Sequence, residues 1–508
     1  MLRLLLAALW AAACAAMKVP HLTKRLPTMR TLKSDELLKE ERGRAERLLK
    51  FIDASPEPFH VVDTVAKQLR AKGFTRLSEG DSWKGAVKSG GKYFFTRNGS
   101  SLIAFVVGAK FAPGGGVKVI GTHVDSPTLK IKPRSKRAPN SGLIQLNVET
   151  YGGGLWHTFF DRDLSIAGRV LVRAGDGVEY RLVKVSRPIL RIPNLAIHLR
   201  TPEERETFKV NKEDHLVPIL CDEVEKGLTG EDKDKDKEEK EQWSSEQQPE
   251  LLSLLARELG VPEQDVVDFE LSIYDTQPAT MSGLNEEFIC ASRLDNLAST
   301  FVAVESLAEW SESPLVADDA DVSIIALFDH EEVGSQSSPG AGSTLMQNAI
   351  GRISSAFGDD SDAYKTGLSK SLVLSVDMAH ARHPNYASRH EGSHAPRLNS
   401  GVVIKTNSQQ RYATNGLTAY LVREIGRRAG VPVQEFVVRN DCPCGTTVGP
   451  VISAQLGVRC VDLGMPMLSM HSIRETSGRS DLTFAARLFA AFFSPLFREI
   501  DNQLKPVD

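Results

Sequence analysis

Four consecutive ionisable residues follow an apolar run of strand length, and their side chains are of the types that bind metals. The run covers residues 322–327, and the quartet is Asp329, His330, Glu331 and Glu332. Burying such groups without partners costs several kcal/mol each. A multivalent cation offsets that cost because it turns carboxylates into ligands. The quartet therefore indicates a metal site, and the alternative interpretation is a solvent-exposed turn where the strand leaves the core.

Four further segments carry metal-capable residues where an apolar run gives way to polar sequence. Two of them have simple alternative explanations. His123 and Asp125 share one face of a strand and could form a surface hydrogen bond, and Asp295 could be the N-cap of the helix after it. Five such segments in one α/β chain favour a shared site, because ligands at the carboxyl ends of parallel strands converge on one crevice. The candidate ligands are His123, Asp295, Glu332, Asp377 and His471.

Two imidazoles and three carboxylates suit a pair of zinc ions that share one bridging carboxylate, with cobalt or manganese as substitutes. Two metals about 3.5–4 Å apart can activate a water and polarise a carbonyl group. One acid must stay off the metals to move protons, and Glu331, adjacent to the candidate ligand Glu332, is the natural choice. These residues predict a hydrolytic centre.

The elements that must position these residues alternate between helices and strands on both sides of a strand-rich middle section. This alternation predicts one α/β domain that is interrupted by a β-rich domain. We place the catalytic domain at residues 17–129 and 283–508, and the β-rich domain at 130–282 with a mobile charged loop at 230–248. Helical patterns cover residues 35–51, 61–69, 296–310, 418–429 and 482–493, and strand patterns cover 102–107, 117–120, 168–173, 322–327 and 372–376.

Composition narrows the class of protein. The chain has 508 residues and a net charge of −3, so it offers no clustered basic surface for nucleic acid or membranes. Its six cysteines show neither a double CxxC zinc pattern nor a disulfide framework. Residues 1–16 have the form of a secretory leader, and they could equally be an over-extended start before Met17. No other run is long and apolar enough to span a membrane.

The motifs around the candidate ligands resemble those of the aspartyl aminopeptidases, the M18 family of co-catalytic zinc exopeptidases. The resemblance runs from about residue 48 to residue 497 and keeps the family's order. It implies an α/β/α zinc-exopeptidase catalytic domain interrupted by a β-rich dimerisation domain. The matching motifs are GTHVDSPTLKIKP, FFDRDLSIAGRV, NLAIHLR, RLDNL, FDHEEVGS, DMAHARHPNY, IKTNSQQRYATN and MHSIRE.

The resemblance also implies a role for each metal-site residue. His123 and Asp377 would hold one zinc ion. Glu332 and His471 would hold the other, and Asp295 would bridge the two. The family pattern makes Glu331 the general base and gives Asp125 the task of orienting His123.

The substrate pocket is implied in the same way. His380, Lys405 and Tyr412 would line it, together with the site acids Glu331 and Asp377. His198, in the β-rich domain, would reach the active site of a neighbouring subunit. The resemblance implies a homo-oligomer, a dodecamer built from dimers.

The predicted activity is removal of an amino-terminal Asp or Glu from peptides, with Lys405 pairing with the substrate's side-chain carboxylate. A same-fold aminopeptidase or deacylase with another preference is the near alternative. A non-catalytic cage protein is the distant alternative, and it predicts a broken metal set. The expected compartment is the cytoplasm, or the secretory or vacuolar route if residues 1–16 are a true leader.

Overall fold

The computed structural model describes residues 35–223, 242–358 and 360–504. The chain divides into two compact units, Met1–Glu40 and Glu41–Asp508. Of the first unit, the structure describes only the start of the first helix. The predicted leader at residues 1–16 lies outside the described residues.

The strands are numbered in chain order. In the described ranges β1 to β21 are Thr75–Arg76, Lys92–Arg97, Ser101–Val107, Val117–His123, Thr128–Ile131, Leu143–Gln145, Val148–Tyr151, Leu164–Ala174, Gly177–Lys184, Ile219–Asp222, Val266–Asp275, Thr280–Ser282, Phe288–Ala291, Val322–Phe328, Leu372–Val376, Ala379–His380, Val402–Lys405, Val433–Phe436, Arg459–Gly464, Pro466–Leu468 and Glu475–Gly478.

The helices are numbered in the same way. Over the described residues α1 to α12 are Asp35–Ala54, Pro58–Ala71, Pro202–Glu206, Gln242–Ser245, Pro249–Leu259, Leu294–Ser311, Leu345–Phe357, Ser361–Ser369, Gly416–Ala429, Val448–Leu456, Arg479–Phe493 and Leu496–Asp501. The predicted helices and strands each overlap one of these elements, and most differ from it by a few residues at the ends.

A nine-stranded sheet organises the molecule. Its strand order is β1-β2-β3-β14-β4-β15-β19-β17-β18, and the central strands β14, β4, β15 and β19 run parallel. All residues of β3, β4, β14 and β15 are buried, as expected for strands that are covered on both faces. The carboxyl ends of the four central strands therefore meet at one edge of the sheet.

Helices cover both faces of this sheet, which gives the predicted α/β/α layering. Along β14 the side chains alternate between the two cores, with Ile325 and Leu327 in one cluster and Ile324 in the other. Helices α6 and α11 pack together in the first cluster, and α7 and α10 contribute to the second. The fold class predicted from the sequence is confirmed.

The strand-rich middle section forms a separate five-stranded sheet of order β7-β5-β11-β8-β9, with its own apolar cluster that includes helix α5. A two-stranded sheet, β10-β6, lies within the same part of the chain. The domain boundaries placed at residues 129 and 282 stay predictions.

The predicted charged loop, residues 230–248, extends too far at its carboxyl end. Residues 230–241 lie outside the described residues, but Gln242–Ser245 forms helix α4, and Gln247 and Gln248 are buried. The side-chain oxygen of Gln247 accepts a hydrogen bond from the Ser135 hydroxyl at 2.7 Å, and its amide group donates to the Pro133 carbonyl at 2.8 Å. These bonds to a neighbouring segment order residues that a composition argument assigns to the loop.

A second five-stranded sheet of order β12-β13-β21-β20-β16 completes the frame. It brings β13, which leads into α6, beside β21. Among the described residues no helix has the length and apolar character needed to cross a bilayer.

The amino end of β4 contains a buried ion pair. Lys118 donates to Asp319 Oδ2 at 2.9 Å and to the Phe493 carbonyl, and its ammonium lies 5.0 Å from the Trp310 ring centre. Burial lowers the pKa of Lys118, because desolvation outweighs the attraction of Asp319 and Asp321. The pair joins the sheet to α6, α11 and the 318–321 turn.

We predict that Asp319→Asn lowers the free energy of unfolding by about 3 kcal/mol, because it leaves the buried Lys118 ammonium without its nearest carboxylate. Urea unfolding of the purified protein measures the change. Asp318→Asn is a matched control, because Asp318 pairs with Lys110 at the surface, where the Lys110 side chain is 63% exposed and that of Asp318 is 69% exposed. This substitution should change the free energy of unfolding by less than about 1 kcal/mol. Equal effects of the two substitutions would contradict the prediction.

Candidate metal centre

The parallel strands of the nine-stranded sheet position two of the candidate ligands. His123 is the last residue of β4 and pairs with Phe328, the last residue of β14. Asp377 follows β15 directly. Because these strands are parallel neighbours, their ends place both side chains at the same edge of the sheet, as the sequence predicts.

A tight turn after β14 carries the two glutamates. His330 has a positive φ of 62°, and Glu331–Val333 forms one turn of 3-10 helix. The backbone N–H groups of Glu331 and Glu332 donate to the two oxygens of Asp125, at 3.1 and 3.0 Å. The quartet is therefore a structured turn anchored on a buried acid.

Asp125 also lies beside the imidazole of His123. The ring Nδ1 is 3.0 Å from the backbone carbonyl of Asp125 and 3.5 Å from its carboxylate. The second carboxylate oxygen of Asp125 accepts a 2.7 Å hydrogen bond from the Tyr151 hydroxyl. Burial favours the neutral acid, but the hydrogen bonds of His123 and Tyr151 hold the pKa of Asp125 below its usual value.

The remaining ligands come from the second five-stranded sheet. Asp295 lies between β13 and the regular part of α6, and its backbone is not helical. Arg293 occupies the N-cap position, where its side chain makes no capping hydrogen bond, and Asp295 Oδ1 has no hydrogen-bond partner within the described residues. The alternative interpretation of Asp295 as a helix cap is therefore wrong, and its carboxylate is available for other contacts.

Glu475 connects the two ligands of this sheet. One carboxylate oxygen accepts from the backbone N–H of Asp295 at 3.0 Å, and the other accepts from the N–H of His471 at 2.7 Å. Burial and the nearby charge of Asp295 raise the pKa of Glu475 well above its usual value, against the opposing effect of these hydrogen bonds. This residue fixes the backbone on which both ligands stand.

The candidate ligand atoms form two triplets that share Asp295. In the first, His123 Nε2 lies 3.3 Å from Asp295 Oδ1 and 3.5 Å from Asp377 Oδ1. In the second, His471 Nε2 lies 3.4 Å from Asp295 Oδ2 and 3.2 Å from Glu332 Oε1. Each oxygen of Asp295 thus faces one imidazole, which is the arrangement of a bridging carboxylate.

The triplets fit metal ions. Asp295 Oδ1 and Glu332 Oε1 are buried and have no hydrogen-bond partner among the described residues, although each faces an imidazole nitrogen. Leaving buried acceptors unsatisfied is costly, and a cation would satisfy them. Histidine and carboxylate donors in sets of three are typical of zinc sites with an open position. Both triplets are compact enough to hold an ion.

Among the protein groups alone, excess negative charge keeps protons in the site. Burial opposes protonation of His471, but the nearby carboxylates of Asp295 and Glu332 raise its pKa to about 11. Burial raises the pKa of Glu332 to about 7. The pKa of Glu331 lies well above its usual value because of burial, with the charges of Asp377, Glu332 and Asp125 adding to the effect against that of His123.

The predicted substrate residues lie next to the first triplet. Lys405 ends β17, is 2% exposed, and places its Nζ 3.5 Å from Asp377 Oδ2. Its ammonium also donates to the Met378 carbonyl at 3.2 Å and lies 5.2 Å from the centre of the Tyr412 ring. The exposed His380 packs edge-on against Phe436, 5.6 Å between ring centres.

His198 is the one predicted site residue that the structure does not join to this group. It lies in the one-turn helix Ile197–Leu199, and its side chain is exposed. No hydrogen bond or ion pair connects it to the metal-site residues within the described part of the chain. Its role in a neighbouring subunit stays a prediction.

The sequence patterns did not reveal several residues that support the candidate ligands and their neighbours. The Gly153 carbonyl lies 3.1 Å from His471 Nδ1, and Tyr151 binds Asp125. Gly152 has a φ of +73°, and a Cβ there would lie 3.2 Å from the Cβ of Glu332. Three consecutive glycines in a strand-rich section were the available signal, because such a run permits close backbone approach.

The comparisons with known proteins agree with this geometry. The family described as "Aminopeptidase I zinc metalloprotease (M18)" matches residues 51–493. An aspartyl aminopeptidase of Aspergillus oryzae is 46% identical over 473 residues, which cover 88% of this chain and 94% of that protein.

Solved structures show the same similarity. The chain described as part of the "Ape4 and Nbr1 complex", solved by cryo-EM, superposes with a TM-score of 0.88 at 42% identity, covering 94% of this chain and 90% of the other. The S. cerevisiae mApe1 dodecamer superposes with a TM-score of 0.81 at 31% identity, covering 92% and 99%. With its family signature, its relatives and a complete set of candidate ligands, this chain belongs to the M18 family of zinc metallopeptidases.

Proposed function

We propose that this M18 aminopeptidase removes Asp and Glu from the amino terminus of peptides. The observation that carries the proposal is Lys405, a buried ammonium that lies 3.5 Å from a carboxylate oxygen of the candidate ligand Asp377. A buried cation beside a hydrolytic centre favours an acidic side chain, because a neutral one offers no charge to attract it. The names of several relatives, aspartyl aminopeptidase, point to the same specificity.

The two triplets would hold two zinc ions, and Asp295 would contribute one oxygen to each. When bound, the ions would lower the pKa of a water and polarise the scissile carbonyl group. The ligand set also accepts cobalt or manganese. Asp125 would orient His123, since the ring nitrogen that faces away from the triplet points at Asp125.

Glu331 would be the general base. Its carboxyl group lies with His123 and Glu332 in a compact cluster, yet Glu331 belongs to neither bridged triplet. Burial and neighbouring acids raise its pKa, so its carboxylate has the proton affinity needed to take a proton from the attacking water. Glu331 would then return that proton to the leaving amine.

Three side chains would position the substrate. Lys405 would bind the acidic side chain of the first residue. His380 and Tyr412 would line the pocket and stabilise the developing oxyanion. His380 is exposed, and Tyr412 belongs to a small apolar cluster that also contains Phe436. Their placement around the first triplet supports these roles.

We further propose a homododecamer built from dimers, in which His198 completes the pocket of a neighbouring subunit. Its exposed position on the β-rich part supports this role, and the similar mApe1 of S. cerevisiae is described as a dodecamer.

The proposed compartment is the cytoplasm. A secretory or vacuolar route remains the alternative, and sequencing the amino terminus of the mature protein distinguishes the two.

Metal removal should abolish activity. We expect dialysis against a chelator to eliminate hydrolysis of an Asp-amide substrate and zinc to restore it, because the metal-free centre can neither activate the water nor polarise the carbonyl group. Metal analysis of the active protein should give two zinc ions per subunit. Full activity with a single ion per subunit would contradict the bridged arrangement.

Replacing the proposed base should separate binding from turnover. Glu331→Gln should lower kcat for an Asp-amide about 100- to 10,000-fold while zinc content stays unchanged, because the amide cannot take the water's proton. Glu149→Gln, at an exposed position of β7, is the control and should leave kcat unchanged. Near-normal turnover by Glu331→Gln would remove that residue from its role.

Replacing the proposed specificity residue should change selectivity. Lys405→Leu should reduce the ratio of kcat/KM for Asp-amide over Ala-amide by about 10- to 100-fold, because the substrate carboxylate loses a charged partner. Zinc content and Ala-amide hydrolysis report on the integrity of the centre. If Lys405→Leu keeps both its zinc and the acidic preference, the specificity resides in other residues. If the wild-type protein prefers Leu-amide, the activity is that of a same-fold aminopeptidase with another preference.

A further inference from the structure

Asp462 is a buried carboxyl group that the proposed reaction does not use. It lies in β19, between β15 and β17 of the nine-stranded sheet, and its side chain has no exposed surface. Strand β17 runs antiparallel to β19, with Ile404 opposite Leu463, and the next pair in this register is Lys405 and Asp462. Side chains of such a pair share one face of the sheet. Burial raises the pKa of Asp462, and the charge of the nearby Lys405 opposes this effect.

Asp462 also binds the loop that carries Tyr412. Its Oδ2 accepts a hydrogen bond from the Ala413 N–H at 2.6 Å, and its backbone N–H donates to the Thr414 hydroxyl at 2.9 Å. On the other side of Tyr412, residues 408–411 are exposed. Asp462 therefore fixes the loop at the two residues that directly follow Tyr412.

The second carboxylate oxygen of Asp462 is held by the start of α10. Its Oδ1 accepts from the hydroxyl of Thr447, the N-cap residue of that helix, at 2.5 Å. Gly449 approaches so closely that a Cβ there would lie 2.5 Å from both oxygens of Asp462. Contacts on both sides thus set the position of the carboxylate.

The distance between Tyr412 and Lys405 depends on this anchor. The centre of the Tyr412 ring lies 5.2 Å from the Lys405 ammonium, and both side chains are buried. Lys405 is the last residue of β17, so the sheet fixes its backbone. Tyr412 belongs to no helix or strand, and the hydrogen bonds of its neighbours with Asp462 tie it to the same sheet.

We propose that Asp462 is a positioning residue of the substrate pocket, which keeps Tyr412 beside Lys405 by holding the Ala413 N–H. It acts through Tyr412 and contacts no reacting atom. The inference rests on the proposed function, in which Tyr412 lines the pocket and stabilises the developing oxyanion. The competing explanation is that Asp462 only stabilises the fold at the start of α10.

Two substitutions separate hydrogen bonding from charge. Asp462→Ala should lower kcat roughly 10- to 100-fold with zinc content unchanged, because a loop shift of about 1 Å misplaces Tyr412. Asp462→Asn should stay within about fivefold of the wild-type kcat, because its amide oxygen can still accept from Ala413 while its NH2 group donates to Thr447. The assay uses whichever of Asp-, Glu-, Leu- and Ala-amide the wild-type protein hydrolyses fastest.

A double-mutant cycle tests whether Asp462 acts through Tyr412. In a Tyr412→Phe background, Asp462→Ala should lower kcat by less than about threefold, because the hydroxyl that it would misplace is already absent. A residue that only stabilises the fold would lower kcat by the same factor in both backgrounds.

Gly449→Ala is a second route to the same displacement, and it serves if Asp462→Ala fails to fold. Alanine favours the helix, but its Cβ would push the Asp462 carboxylate away from Ala413, so kcat should again fall. Cys460→Ala is the matched control, because Cys460 is buried on the same face of β19, two residues from Asp462. It should lower the thermal midpoint and leave kcat within about twofold of wild type.

The proposal is overturned by a folded, zinc-loaded Asp462→Ala or Gly449→Ala protein with wild-type kcat. An equal loss in Asp462→Asn and Asp462→Ala, an additive cycle, or an equal loss in Cys460→Ala would overturn it as well. These outcomes are distinct from a failure of the proposed specificity. A wild-type preference for Leu-amide would contradict that specificity, and the cycle would then be measured with Leu-amide.

Discussion

The site is governed by an excess of buried negative charge that the protein's own cations do not balance. Two like charges 4 Å apart repel by about 4 kcal/mol at an effective dielectric constant of about 20. Protein groups can respond only by holding protons, and the raised pKa values of Glu331 and Glu332 show this response. Bound cations would offset this charge, and metal binding would then be linked to the stability of this edge of the sheet. The carboxyl groups involved are Asp125, Asp295, Glu331, Glu332, Asp377 and Glu475.

The ligands are rigid because each stands at the end of a packed element. The nine-stranded sheet supplies His123, Asp377 and the turn with Glu332, whereas the smaller sheet supplies Asp295 and His471. Two acids outside the set of candidate ligands hold these halves in place. Asp125 accepts the N–H groups of the glutamate turn, and Glu475 accepts those of the two ligands from the smaller sheet. The positions of the candidate ligands are therefore set by these two buried acids, which orient the backbone that carries the ligands.

The candidate ligands that the structure brings together could be found from the sequence, because each has a local signal, a metal-capable side chain where an apolar strand ends. It predicted the layered fold for the same reason, since Val322–Phe328 and Leu372–Val376 are apolar runs bounded by polar residues. The supporting contacts have no local signal. Glu475 follows the ligand His471 by four residues, and nothing in its spacing shows that both of its oxygens bind backbone. Composition alone places Gln247 in a mobile loop because its partner Ser135 is distant in sequence.

The β-rich part of the chain contributes directly to the metal centre, although it contains none of the candidate ligands. Tyr151 binds Asp125, and the Gly153 carbonyl faces the Nδ1 of His471, so two residues that are two positions apart touch both halves of the site. Gly152 between them makes the approach possible, because a side chain there would press on Glu332. A shift of β7 would therefore disturb the orientation of His123 and His471 together, through their hydrogen-bonded neighbours. Contacts that fix the β-rich sheet would then tune the metal ligands without changing their identity.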